Sequence, residues 1–179
     1  MIFMIAKRLQ KGDTIGIVAP SNPITLDRKI TLDMGIKYLE NEGFKIVFSK
    51  NALLIDKFES SGGTPEQRAD DINDMFKDKK INAIWCAHGG DTANQTLDLI
   101  DYKLIKNNPK IFMGMSDIDV LLLAINRKTG LITFNAADPK RECGHNLDIE
   151  YSQKSFVKRM LNGEKEIISN SCWKISSKN

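Results

Sequence analysis

The sequence predicts an α/β protein: a doubly wound, mostly parallel sheet of five strands with helices on both faces. Three observations point there. Five short runs rich in β-branched and apolar residues recur along the chain, several apolar at nearly every position, as strands covered on both faces require. Segments with the apolar period of helices lie between them. The alternation of the two has the spacing of βαβ units with right-handed crossovers.

The strand runs fall at residues 14–19, 44–48, 81–87, 110–113 and 131–134. After the first, Leu26, Ile30, Met34 and Tyr38 repeat every four residues, and Gly43 marks the helix stop. Thr64-Pro65-Glu66-Gln67 opens the next helix: Thr64 can cap, Pro65 suits the first helical position, and Gln67 completes a capping box. Ala69, Ile72 and Phe76 form its buried stripe. Residues 91–100 and 101–107 read as two short helices before Pro109. Residues 118–125 are so apolar that their helix is expected to be buried on most sides, with Gly130 ending it. One amphipathic helix is expected over residues 155–161, carrying Phe156, Met160 and Leu161. Residues 1–165 are therefore read as one α/β domain, and 166–179 as a polar tail or the start of a linker.

Composition narrows the function classes. The chain has 179 residues, 41% hydrophobic and 27% charged, enough for a core that needs no staples. The net charge of +3 comes from lysines and arginines scattered among acids, with no basic run interleaved with aromatics, so nucleic-acid binding is not expected. The Lys77-Asp78-Lys79-Lys80 cluster reads as a solvated helix end. No apolar stretch is long enough to span a membrane, and the basic residues Lys7 and Arg8 follow the apolar start rather than precede it, unlike a signal peptide. Three cysteines without framework spacing suggest a reduced, cytoplasmic protein. The glycine fingerprint of a nicotinamide or flavin site is absent after the first strand, which runs into Pro20-Ser21-Asn22-Pro23. The pairs Cys86/His88 and Cys143/His145 lack zinc-site spacing, so neither a metal nor another cofactor is expected.

In open parallel sheets, ligands bind beyond the carboxyl ends of the strands. Four loops qualify: residues 20–23, 88–91, 114–117 and 135–138. Ser116 stands on a one- or two-residue turn between a strand and an apolar helix, the setting of a nucleophile elbow, with Gly114 giving the turn room. The second glycine of the usual hydrolase motif is replaced by Ile118. The same pattern also suits a helix-capping serine with Asp119 at the third helical position. Gly89-Gly90 could stabilise an oxyanion, bind a phosphate, or make a tight strand-to-helix turn.

Taken in series, the motifs stop being generic. Residues 12–21 (GDTIGIVAPS), His88-Gly89-Gly90-Asp91 and residues 108–117 (NPKIFMGMSD) resemble the LD-carboxypeptidase family of serine peptidases, which includes microcin C self-immunity proteins. Residues 63–70 and 129–134 are similar to further segments of that family, so the resemblance runs from about Lys11 to Asp138. The glycine-glycine-aspartate form of the loop leans toward the self-immunity branch. The resemblance implies a flavodoxin-like or class I amidotransferase-like N-terminal domain. It implies Ser116 as nucleophile, the backbone N–H groups of Asp117 and Gly90 as oxyanion hole, and Gly89, Asp91 and Ser21 around the substrate. It also implies cleavage, without a cofactor, of an amide near a peptide C-terminus, in a muropeptide or microcin-like substrate.

Family members draw a glutamate and a histidine from a second, C-terminal domain. Neither His88 nor His145 matches that histidine, Met115 replaces an aromatic residue, and Asn135-Ala136-Ala137 replaces a histidine-glycine-proline segment. The expectation is the nucleophile-bearing half of a peptidase, inactive alone, that forms a homodimer through the face the missing domain would cover. A non-catalytic peptide- or nucleotide-binding domain is the alternative.

Overall fold

The five apolar runs form one all-parallel sheet, ordered β2-β1-β3-β4-β5. Its strands are β1 (Thr14–Val18), β2 (Lys45–Phe48), β3 (Ala83–Cys86), β4 (Ile111–Gly114) and β5 (Phe134–Asn135). The helices are α1 (Leu26–Asn41), α2 (Pro65–Lys77), α3 (Tyr102–Asn107) and α4 (Asp119–Thr129). The structure, a computed structural model, describes residues 3–136, 139 and 153–155. The expected helix beyond Ser155, Cys143, His145, Cys172 and the 165/166 boundary lie outside the described residues.

The order of the strands dictates the layers. From β1 the chain steps one way to β2, then returns across β1 to β3. Right-handed crossovers must therefore place α1 on one face and α2 on the other. Helices α3 and α4 pack with each other and α3 with α2, extending the second layer. At Gly16 in β1 an added Cβ would lie 2.5 Å from Met75 Sδ of α2, so the missing side chain admits that helix. Trp85, Phe76 and Phe112 fill the centre, the two phenylalanine rings 5.7 Å apart.

Local chemistry explains most boundaries. Thr64 and Gln67 form the expected capping box around Pro65, and Ala69, Ile72 and Phe76 are buried. Gly43 and Gly130 take positive φ (97° and 83°) beyond α1 and at the end of α4, the conformation that favours glycine. The Lys77–Lys80 cluster is exposed, as a solvated helix end should be.

Four details differ from the sequence reading. Leu26, Ile30 and Met34 do not face the sheet; they are 79%, 60% and 51% exposed, and Leu32, Gly35, Ile36 and Leu39 are the buried set. At about 100° per residue, Leu32, Ile36 and Leu39 fall within one narrow stripe, whereas the four-residue repeat drifts around the opposite side. The short helix expected over residues 91–100 is shorter than that, a 3-10 helix over 93–99. Helix α4 is not buried on most sides: Leu121, Leu122 and Ile125 face the core, but Leu123 is 70% exposed. The fifth strand is shifted to Phe134–Asn135, because Leu131 and Ile132 instead meet the N-terminal segment through a bridge to Met4.

Two buried polar groups fasten helix α2. The Asp71 carboxylate accepts from Ser49 Oγ at 2.6 Å and Asn51 Nδ2 at 2.9 Å, tying the end of β2 to the helix; burial pushes its pKa up. At the other end the Lys110 ammonium donates to the carbonyl oxygens of Met75, at 2.7 Å, and Asp78. It thus caps the helix C-terminus, where a cation is favoured. Burial lowers its pKa to about 8 from an ordinary 10.5.

This lysine predicts a pH dependence. Between pH 8 and 10.5 the unfolded chain holds the Lys110 proton more tightly than the folded chain, so folding stability from this group rises with pH across that window. Lys110→Met should destabilise the fold by about 1–3 kcal/mol at pH 7 through the lost carbonyl bonds. Urea melts of both proteins at pH 7 and pH 10 should show the gap widening; a gap that narrows would contradict the assignment.

Candidate active site

The sheet changes direction between β1 and β3, and at such a switch point the loops after the two strands diverge and open a crevice at the carboxyl edge. Both loops carry residues singled out in the sequence, Ser21 after β1 and Gly89-Gly90 after β3. The turn after β4 lies beside them. Two residues past that strand's end, after an extended Met115, the backbone reverses at Ser116 with φ +62°. Ser116 and Glu59 are the two non-glycine residues with positive φ among the described residues. Such a conformation costs an L-residue about 1–2 kcal/mol. The turn lifts the serine into the open, and Ser116 is exposed while Ile111–Gly114 before it are buried.

The side chain does not cap a helix. Met115 is the N-cap of the 3-10 turn Ser116–Ile118 and Ile118 that of α4, and neither makes a side-chain capping bond. Among the described residues Ser116 Oγ has no hydrogen-bond partner. Capping was the simplest alternative for this serine, and the geometry leaves its hydroxyl unspent.

The glycines are required by contact. A Cβ on Gly89 would sit 3.0 Å from Ser116 Cβ and 3.3 Å from its Oγ, so the bare backbone of the β3 loop forms the wall facing the serine. A Cβ on Gly90 (φ +155°) would overlap Asn22 Oδ1 at 2.2 Å and Ser21 Oγ at 2.4 Å. On Gly114 it would meet Ile118 Cγ2 at 2.7 Å and Cys86 Cβ at 3.0 Å, which is why the elbow can fold back onto its strand.

A polar bracket locks the three loops. Asp117 Oδ2 accepts from Ser21 Oγ at 2.5 Å and from the Ala93 N–H at 2.8 Å. Ser21 Oγ in turn accepts from the Thr92 N–H at 3.2 Å, and the Asn22 N–H donates to Gly89 O at 3.2 Å. Behind the bracket lies Arg68 of α2, 1% exposed. Its guanidinium donates to Pro20 O and Thr92 O, each at 2.8 Å, and to Gln95 Oε1 at 2.7 Å. Burial lowers its pKa while the Asp117 carboxylate opposes that shift.

The structure thus brings together Ser116, Asp117, Gly89, Gly90 and Ser21. Ser21 is fully buried and spends its hydroxyl on the bracket, so it positions the loops. Asp91 stands exposed beyond the glycines. Cys86 is buried in β3, and burial raises its thiol pKa, which keeps it from acting as a thiolate. No cluster of three metal-ligating side chains occurs among the described residues. Sequence reasoning gave no role to Arg68, Thr92 or Ala93. One signal was available: Arg68, Ile72 and Phe76 share the four-residue stripe of α2, so a charged residue stood on its apolar face.

The LD-carboxypeptidase N-terminal domain matches residues 15–136 of the chain. The microcin C7 self-immunity protein MccF of Escherichia coli is 37% identical over 158 residues, covering 87% of this chain and 45% of that protein. A probable murein peptide carboxypeptidase of Bacillus subtilis is 37% identical over 129 residues, covering 72% and 39%. The chain therefore spans less than half the length of these relatives. Solved structures of MccF superpose at a TM-score of 0.82 and 34–35% identity, covering 88% of this chain and 47% of theirs. One is a complex with aspartyl sulfamoyl adenosine; another is an active-site mutant with serine, asparagine and lysine replaced by alanine.

The geometry generates two expectations. Ser116→Gly relieves the left-handed strain and should raise folding stability by about 1 kcal/mol, read as a higher melting temperature. Gly90→Ala should lower it by about 2 kcal/mol or more, because the added carbon meets two fixed polar side chains. A lower melting temperature for Ser116→Gly, or an unchanged or higher one for Gly90→Ala, would mean that the turn concerned is not built as described.

Proposed function

We infer the chemistry from membership: the chain belongs to the LD-carboxypeptidase family, and Ser116 is the nucleophile of a serine peptidase site. The observation that carries this reading is the strained, exposed turn at Ser116, whose hydroxyl faces the bare backbone of Gly89. Left-handed strain at a non-glycine residue persists where function needs the resulting geometry. The active-site serine replaced in the MccF mutant supports the same role.

In this reading the Ser116 oxygen attacks a carbonyl carbon, forming a C–O bond as its proton passes to a general base. The developing oxyanion is held by the backbone N–H groups of Asp117 and Gly90, preorganised donors that need no rearrangement during the reaction. Collapse of the intermediate breaks the C–N bond, the leaving amine takes the proton, and water later releases the acyl group. The substrate is an amide near a peptide's carboxyl terminus, of the muropeptide or microcin-like kind that the relatives' names suggest. Asp117 also contributes through its side chain. By holding Ser21 and Ala93 it fixes the turn that presents its own N–H beside the β3 loop that carries Gly90.

The base is placed in the part of the relatives' length that this chain does not span, as the family's second-domain glutamate and histidine suggest, and no described side chain bonds Ser116 Oγ. The chain alone is therefore expected to be inactive or nearly so, as removing one member of a catalytic triad slows such enzymes by about a thousandfold or more.

The test is labelling with a fluorophosphonate probe, read by intact mass, with Ser116→Ala as control. The chain alone should label at least a thousandfold more slowly than full-length MccF, and adding the C-terminal half of MccF should speed labelling at Ser116. Fast labelling of Ser116 in the isolated chain would place a base within it. No labelling of Ser116 under either condition would remove it as the nucleophile.

A further inference from the structure

The loop between β2 and α2 does work that the Ser116 turn does not account for. It carries four apolar residues exposed within six positions: Leu53 (51%), Leu54 (38%), Ile55 (45%) and Phe58 (74%). Exposed apolar groups gathered in this way mark a contact surface rather than chance. The loop is not slack. The Asp56 carboxylate accepts from the Ser60 N–H at 2.6 Å, Ser60 Oγ at 2.8 Å and the Ser61 N–H at 3.2 Å, closing a tight turn with Glu59 at φ +55°. Phe58 is therefore presented on a rigid tip. One end of the loop is anchored by Asn51 on Asp71, the other by the Gly62 N–H donating to Ser21 O at 2.9 Å.

Between this loop, the first turn of α2 and the start of the 3-10 helix lies a cleft of about 570 Å³. Leu54, Ile55 and Phe58 line one side and Pro65, Thr92 and Gln95 the other. Three side-chain oxygens in the far wall are already engaged. Gln67 Oε1 accepts from the Thr64 N–H, and Thr92 Oγ1 and Gln95 Oε1 accept from Arg68. Apart from the Lys57 ammonium, 4.7 Å from the centre of the Phe58 ring, the surface that the cleft offers a ligand is mainly apolar. Its volume lies in the range of small-molecule sites, large enough for a ring-sized group with the backbone on either side of it. It is linked to the serine turn through Thr92, which lines it and whose N–H bonds the same Ser21 hydroxyl that holds Asp117.

We propose that this cleft is a specificity subsite that takes an uncharged apolar group of the substrate, a branched or aromatic side chain borne by a peptide. As a substrate subsite it rests on the serine peptidase reading of Ser116; as a ligand site it stands on its own geometry.

The experiment has two arms. In the first, the 15N-labelled chain is titrated with N-acetylphenylalanine amide and, as control, N-acetylserine amide. The phenylalanine probe should shift amides at residues 54–67 and 92–95, the serine probe should not, and the exposed-site double variant Leu54→Asp/Phe58→Ser should bind at least tenfold more weakly with an unchanged melting temperature. No shifts, or equal shifts from both probes, would overturn the site. Shifts at the same amides on raising protein concentration without probe would show a second copy of the chain as the occupant and also overturn it.

The second arm adds the C-terminal half of MccF and compares fluorophosphonates with a benzyl-bearing and a methyl-bearing flank. Faster labelling of Ser116 by the benzyl reagent, lost in the double variant while methyl labelling holds, is the expected result. Equal rates would overturn the subsite, and failure of both reagents with the first arm intact would instead count against Ser116.

Discussion

The carboxylate of Asp117 decides whether the carboxyl edge of this sheet is a site or merely three loop ends. Parallel strands deliver every strand-to-helix loop to one edge, but they do not fix the loops relative to one another. Here one oxygen accepts from the hydroxyl of the β1 loop and from an N–H at the start of the 3-10 helix, while its own residue follows the strained serine. Hydrogen bonds to a charged group contribute about 1.5–3 kcal/mol each, against about 1–2 kcal/mol for the left-handed backbone at Ser116. The bracket is therefore strong enough to hold the turn in a conformation it would otherwise leave.

Arg68 carries the opposite charge for the same edge. Placing a guanidinium inside a protein is costly, and the lowered pKa records that cost. It is offset by four acceptors brought to one point: the Pro20 carbonyl in the β1 loop, and Thr92 O, Thr92 Oγ1 and Gln95 Oε1 at the start of the 3-10 helix. The match is incomplete, since Nε has no partner among the described residues. A leucine there would avoid the penalty but would leave Pro20 O and Thr92 O without donors. The residue is better explained by the loops it joins than by helix stability, because the capping box and the apolar stripe already define α2.

The fold was legible because its signals are local or periodic. Apolar runs marked all five strands, Thr64, Pro65 and Gln67 marked the start of α2, and Gly43 and Gly130 marked helix ends. What failed needed knowledge of the neighbours. Helix α1 has two apolar stripes, and only the sheet's position selects the Leu32–Ile36–Leu39 side over the Leu26–Ile30–Met34 side. The shift of the last strand depends on Met4, more than a hundred residues away in sequence. In the site, Ser116 and the glycines were legible because a sharp turn needs small residues. Ser21 was legible as a residue of the edge but not as a buried strut, since its partner Asp117 lies 96 positions along the chain. Arg68 was hidden by habit: a charged residue on a helix reads as solvent-facing unless its place on the apolar stripe is weighed.

Everything that sets the angle of the serine lies within the described residues. The strain at Ser116 is opposed by Asp117, Ser21, Ala93 and the close approach of Gly89, and none of these needs another domain to reach its position. On the serine peptidase reading proposed above, Ser116 and the N–H groups of Asp117 and Gly90 can therefore be oriented before a base is present, and a base supplied from elsewhere need only reach one exposed oxygen. That division explains how a site can tolerate a general base borne on another structural unit. The exacting part of the geometry is local and prepaid in folding, and what crosses the boundary is a single proton transfer over about 3 Å.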